Sequence, residues 1–413
     1  MAHLKGRRAW IGAAWLALLG VLGVASSVLQ NTAAAQGAKG AQAPMFEVDP
    51  FWPKPLPNHW LLGSAIGVWV DPQDNVWMIH RSSATLNANE RGLDLKVYQC
   101  CTGAPPVLAF DKAGNLIRSW GGPGQGFEWP DSNHGISLDH QGNVWIAGNG
   151  GPDGHILKFT QEGKFLAQFG KKGARPGPPS PGAKGGPTWR ADSNDPNNFG
   201  RPAEVFVEPK ANEAYVSDGY LNRRVAVIDA QTGKMKRYWG AYGNKPDDAD
   251  LGPYDPSAPP AKQFRNPVHC AALSNDGLLY VCDRQGDRIQ VFRPDGTYVN
   301  EGFIAKETRA SGSVWDIAFS RDPQQRFLYV SDGGNAKVHI VERSSLQLLT
   351  SFGDGGRQPG QFFGVHSIAT DSQGNIYTTE TYEGKRLQKF VYKGLGPVTR
   401  PQQGVLWPSV STR

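Results

Sequence analysis

Apolar and polar residues alternate with a period of two along most of this 413-residue chain, and the alternation restarts six times. The restarts read AIGVWVDPQDNVWMIHR, HGISLDHQGNVWIAG, AEVFVEPKANEAYVSDGY, HCAALSNDGLLYVCDR, WDIAFSRDPQQRFLYVSDG and HSIATDSQGNIYTTETY. Each holds two apolar-alternating stretches around a turn rich in Asp, Asn or Gly. A third stretch follows (VLAF, HILKF, RRVAVID, RIQVF, KVHIV, RLQKF), and in most copies a fourth ends in an aromatic and a glycine. Period-two alternation between such turns predicts short antiparallel strands. Four strands per unit, repeated at this spacing, predict the blades of an all-β, six-bladed β-propeller.

The sixth copy lacks an outer strand. Residues 45–52, MFEVDPFW, are expected to supply it, closing the ring and removing exposed sheet edges. The chain then divides into an N-terminal segment at 36–63 with the ring-closing strand, one propeller domain at 64–393, and a tail at 394–413. The 51 glycines and 31 prolines suit many tight turns.

Ahead of this lies a different pattern. Lys5, Arg7 and Arg8 precede an apolar run from Trp10 to Leu29 and the small residues Ala33, Ala34 and Ala35. Residues 1–35 read as a secretory signal peptide, or as an anchor if left uncleaved. The protein is expected to be exported, periplasmic or secreted, and to meet a membrane only through that segment. The three basic residues supply half of the formal charge of +6. The remainder is mildly basic, with no basic stripe interleaved with aromatics, so nucleic acid is not an expected partner.

The four cysteines suit an oxidising compartment. Cys270 and Cys282 flank the turn Asn275–Gly277, and a three-residue loop there pairs them across strands. Adjacent Cys100 and Cys101 either form a vicinal disulfide or remain thiols.

The repeat register exposes candidate chemistry. His134, His269 and His366 occupy one position in alternate copies, and the intervening copies hold Ile66, Ala203 and Trp315 there. In a closed ring, three imidazoles aim at one axis, the ligand set of a tri-His metal site with an open position. Neutral imidazoles suit zinc, and iron, copper or nickel less specifically. His80, His140, His155 and His339 break the register and read as structural or solvated.

The start of a blade's first strand and the end of its second lie at one edge. That edge brings Arg81, Tyr220 and Arg284 to the same mouth. Guanidiniums there would hold a carboxylate bidentately and favour a phenolate at Tyr220, making it a general base. The expected substrate is a small carboxylate-bearing molecule or a peptide with a hydroxyl to deprotonate. The inserts 171–200 and 241–265 either line the mouth or form solvated loops.

The repeat resembles the NHL family of propellers. DNVWMIHR, HGISLDHQGNVWIAG, RPAEVFVEPKANEAYVSDGYLNRRV, CDRQGDRIQVF and GVHSIATDSQGNIY together resemble the peptidyl-α-hydroxyglycine α-amidating lyases within it. That resemblance implies zinc held by His134, His269 and His366, Tyr220 as the base, and Arg81 and Arg284 on the substrate carboxylate. The products would be an amide and glyoxylate. It also implies a structural calcium bound by the carbonyls of Val68 and Ile136 and by an Asp, at whose position this chain has Ser367. Two other readings compete: a non-catalytic NHL propeller binding peptide, glycan or protein, and a lactonase-like propeller hydrolase. The latter wants Glu, Asn and Asp in the channel, where this chain offers histidines.

Overall fold

The computed structural model describes residues 40–178 and 188–408. Residues 1–35, expected to be a signal peptide, and residues 179–187 of the first insert lie outside them. Six four-stranded antiparallel sheets account for nearly all the regular structure. Their innermost strands are Ala65–Val70, Asn133–Leu138, Glu204–Glu208, Val268–Leu273, Asp316–Phe319 and Val365–Thr370. The chain is a six-bladed β-propeller.

The ring closes through the N-terminal segment. Gln42–Asp49 is the outer strand of the sixth blade, antiparallel to Arg386–Pro397, with Phe46 opposite Tyr392 and Val48 opposite Phe390. It starts three residues earlier than the sequence pattern suggests and ends at Asp49. Trp52 leaves the strand and packs between the sixth and first blades, 4.8 Å from Tyr377 and 6.0 Å from Phe110. Asp74 completes the closure, accepting hydrogen bonds from the Ser372 amide and hydroxyl at 2.8 and 2.6 Å.

The repeated turn has a physical basis. Asp71 accepts from the amides of Gln73 and Asn75, the Asn75 side chain and the Trp77 indole. Asp139 repeats this with Gln141, Asn143 and Trp145. Asp371 repeats it with Gln373, Asn375 and the Tyr377 hydroxyl. One carboxylate thus folds the turn and orients the aromatic that the second strand buries. Gly142 and Gly374 sit at positive φ in these turns, where a side chain is strained.

Six apolar clusters fill the six blade-to-blade interfaces, from Trp77–Ile136–Phe159 between the first and second blades to Val68–Leu108–Tyr377 between the sixth and first. A staple recurs at the mouth edge. Asp218 pairs with Arg224, Asp283 with Arg288 and Glu380 with Arg386, each acid ending a second strand and each arginine opening the third. Asp332 pairs instead with His339, two residues into the third strand of the fifth blade. The arginines also bind backbone carbonyls of both inserts: Arg224 holds Ser193, Asp195 and Asn198, and Arg288 holds Ala261 and Gln263.

Cys270 is bonded to Cys282, as the turn register implies, and Cys100 to Cys101. Among the described residues, no helix is long and apolar enough to cross a membrane.

Candidate metal centre

His134, His269 and His366 all lie within irregularities of the innermost strands. The pairing register shifts between Asn133 and Ile136, between Val268 and Ala271, and between Val365 and Ile368. The third and fifth blades pair regularly and carry no histidine there, and the first blade shifts register at Ile66 without one. Such a bulge bends a strand and re-aims its side chain. Here the three imidazoles converge from the second, fourth and sixth blades.

Each ring is held from the next blade. Nδ1–H of His134 donates to the carbonyl of Ala203 at 2.9 Å, and that of His366 to Ile66 at 2.7 Å. His269 makes the equivalent bond to Trp315. These acceptors are the three residues that occupy the histidine register in the intervening blades. A carbonyl only accepts, so Nδ1 carries the proton and Nε2 presents a lone pair.

The rings are buried, and their centroids lie 4.8–5.0 Å apart. Their candidate ligand atoms all fall within 4.8 Å of one another. An ion about 2.0–2.1 Å from each Nε2 in a tetrahedral site places ring centroids about 5 Å apart, so the triad fits a single ion. Burial holds His134 and His269 well below the usual imidazole range, with the neighbouring His366 next in effect. Burial followed by the charges of Arg284 and Arg81 lowers His366 to about 3. Neutral imidazole is the form that binds metal.

Tyr220 Oη sits 2.9 Å from Nε2 of His134 and 2.9 Å from Nε2 of His269. One phenolic proton cannot satisfy two acceptors, so one Nε2 lone pair is left for another partner. Arg284 donates to the same oxygen at 3.0 Å and lies over the Trp315 ring, 4.5 Å from its centroid. Arg81 bonds the Asn149 side chain at 2.9 Å and the Asn133 carbonyl. Burial raises the Tyr220 pKa, and Arg284 and Arg81 pull it down without overcoming that burial. The arginines alone therefore leave the phenol protonated near neutral pH.

On the other side of the triad, the register one past the histidines holds Glu204 and Asp316, which sequence reading overlooked. Asp316 accepts from the Ser367 hydroxyl at 2.6 Å and the Ile368 amide at 3.0 Å. Burial raises Asp316 to about 6, and burial with the nearby Asp316 raises Glu204 well above the usual carboxylate range. Val68 and Ile136 lie buried on innermost strands, in the interface clusters on either side of the first blade. Ser367 donates to Asp316 and offers no carboxylate of its own. The carboxylate that contacts Ser367 is Asp316 of the fifth blade.

The off-register histidines have other partners. His80 is buried, accepts from the Gly63 and Ser82 amides through Nδ1, and donates to Pro105 through Nε2. His155 bonds the Glu128 carbonyl, His339 bonds Asp332, and His140 is exposed.

Comparison with known proteins gives the same pattern a context. The chain is 28% identical over 339 residues to peptidylglycine alpha-amidating monooxygenase of Rattus norvegicus, covering 79% of this chain and 30% of that protein. Its homologues include amidating lyases. Peptidyl-alpha-hydroxyglycine alpha-amidating lyase 1 of Drosophila melanogaster is 25% identical over 361 residues, 83% of this chain and 59% of that lyase. NHL repeat-containing protein 3 of Mus musculus is 25% identical over 313 residues, 74% of this chain and 70% of that protein. The match thus spans under a third of the monooxygenase and more than half of the lyase. No protein-family model matches the chain.

Proposed function

We propose that this protein is an exported, zinc-dependent carbon–nitrogen lyase acting on an N-acylated α-hydroxyglycine and releasing an amide and glyoxylate. The observation that carries the reading is the contact of Tyr220 Oη with two triad nitrogens and the Arg284 guanidinium at once. A general base within hydrogen-bond reach of the group holding the substrate is what removal of a hydroxyl proton requires.

His134, His269 and His366 would hold the zinc, which when bound supplies Lewis-acid polarisation of the substrate hydroxyl. Arg81 and Arg284 bind the substrate carboxylate and present the neighbouring carbon to Tyr220. In its phenolate form, which a bound zinc together with Arg81 and Arg284 would favour, the Tyr220 oxygen takes the hydroxyl proton. The oxygen electron pair forms the aldehyde carbonyl, the C–N bond breaks, and the amide nitrogen takes up the proton. Atoms and charge balance without an oxidant. The two disulfides accord with an oxidising compartment.

Similarity to an NHL repeat-containing protein favours a second reading, a propeller that binds without turnover. Glyoxylate release from α-hydroxyhippurate by the zinc-loaded protein separates the two. The lyase reading expects release above the buffer rate, lost in Tyr220→Phe with zinc retained. Zinc-loaded wild type that releases none leaves the binding reading.

A further inference from the structure

Tyr382 stands in the sixth blade where Tyr220 stands in the third. Each lies two residues past the acid of a staple, Glu380–Arg386 in one case and Asp218–Arg224 in the other. The third and sixth blades face each other across the ring, as do the first and fourth, which carry Arg81 and Arg284. Two tyrosines and two arginines therefore frame the mouth above the triad.

The two tyrosines differ in exposure. Tyr220 is half-buried against the histidines, whereas Tyr382 is 55% exposed. Its backbone is left-handed, with φ of 51°, a conformation a non-glycine residue keeps only where its surroundings impose it. The Ser64 hydroxyl donates to its carbonyl at 2.8 Å, and Thr381 N–H donates to Gly364. Lys385 bonds Glu90 and Glu383, clamping this turn to the 82–103 loop. The ring meets Trp315 edge-on at 6.4 Å. The Arg284 guanidinium lies over the same Trp315 ring, 4.5 Å from its centroid. An aromatic face is thus pinned open to solvent beside the groups that would hold the substrate's carboxylate and hydroxyl.

We infer that Tyr382 is a specificity-determining residue that packs against the acyl substituent of the substrate and selects apolar, especially aromatic, acyl groups. This rests on the lyase reading for the orientation of the substrate. With the carboxylate on the arginines and the hydroxyl toward Tyr220, the remaining substituent must leave through the mouth, where Tyr382 is an exposed aromatic.

Two measurements test it. The first is equilibrium binding to zinc-loaded protein of hippurate and of N-acetylglycine, which share the carboxylate, lack the reacting hydroxyl and differ in the acyl group. The second is kcat/KM for α-hydroxyhippurate against N-acetyl-α-hydroxyglycine. Wild type should favour the benzoyl compound about tenfold in both, the scale of one aromatic contact. Tyr382→Ala should remove that preference mainly through affinity and KM, and Tyr382→Phe should keep it. A wild type without preference, or a Tyr382→Ala that retains it, overturns the assignment. Tyr382-dependent hippurate preference without glyoxylate release sinks the lyase reading and leaves the aromatic contact standing. Release with an unchanged preference does the reverse.

Discussion

Asp283 gives its carboxylate to Arg288, 2.8 Å away across the strand pair, and not to its chain neighbour Arg284. The acid that could have neutralised Arg284 is already engaged, so that guanidinium is free to reach Tyr220. Removing either arginine should therefore have different consequences. Arg288→Ala strands a buried carboxylate and should destabilise the fold by about 3–5 kcal/mol. Arg284→Met should keep near-wild-type thermal stability while raising KM about 10- to 100-fold, the cost of one charge-assisted contact to a carboxylate. Thermal unfolding and steady-state glyoxylate release read the two effects.

The triad should behave as one unit. His134→Ala, His269→Ala and His366→Ala are each expected to reduce bound zinc from about one ion per chain to trace levels, since two imidazoles do not complete a tight zinc site. Far-ultraviolet circular dichroism should stay that of the wild type, because the blades are held by the interface clusters and staples. Metal analysis after dialysis checks the stoichiometry.

Glu204 and Asp316 make a pH-dependent cost. The folded-state pKa of Asp316 is raised to about 6 from an ordinary value of 3.8. The folded state therefore holds that proton more tightly than the unfolded chain. Its stabilising effect is present below pH 4 and is lost as pH rises through 6. Glu204→Gln relieves the neighbouring like charge. In chelator-treated protein it should raise stability at pH 8 by about 1 kcal/mol, with the gain shrinking toward pH 4. Unfolding midpoints across pH 4–8 measure it, and a constant offset would contradict the coupling.

The Cys270–Cys282 bond lies beside the His269 bulge and closes a short loop in the fourth blade. The double change Cys270→Ser, Cys282→Ser should cost about 2–3 kcal/mol. It should also weaken zinc binding measurably, since the bulge that aims His269 loses its tether. Competition with a chromogenic chelator reports the affinity.

Much of this was legible in the residues. The alternation and the Asp-led turns specify the blades, and register alone picks out His134, His269 and His366. The staple arginines carried a readable signal, because Arg224, Arg288 and Arg386 each fall five or six residues past an acid that ends a strand. Tyr382 shares the offset of Tyr220, and Glu204 and Asp316 share one register, so both could have been read from the repeats. The bulges could not. An inserted residue shifts the ladder locally while leaving the alternation on either side intact. Nor could the roles of Ile66, Ala203 and Trp315, whose side chains say nothing about carbonyls that act on the neighbouring blade.

X-ray absorption at the zinc edge of the loaded protein tests the central claim most directly. The account expects three imidazole nitrogens at about 2.0–2.1 Å in the first coordination sphere of the wild type, and no zinc signal above background from the single histidine variants. A shell dominated by oxygen or sulfur, or one unchanged in His134→Ala, would show that the metal binds elsewhere and that the three rings only pack against one another.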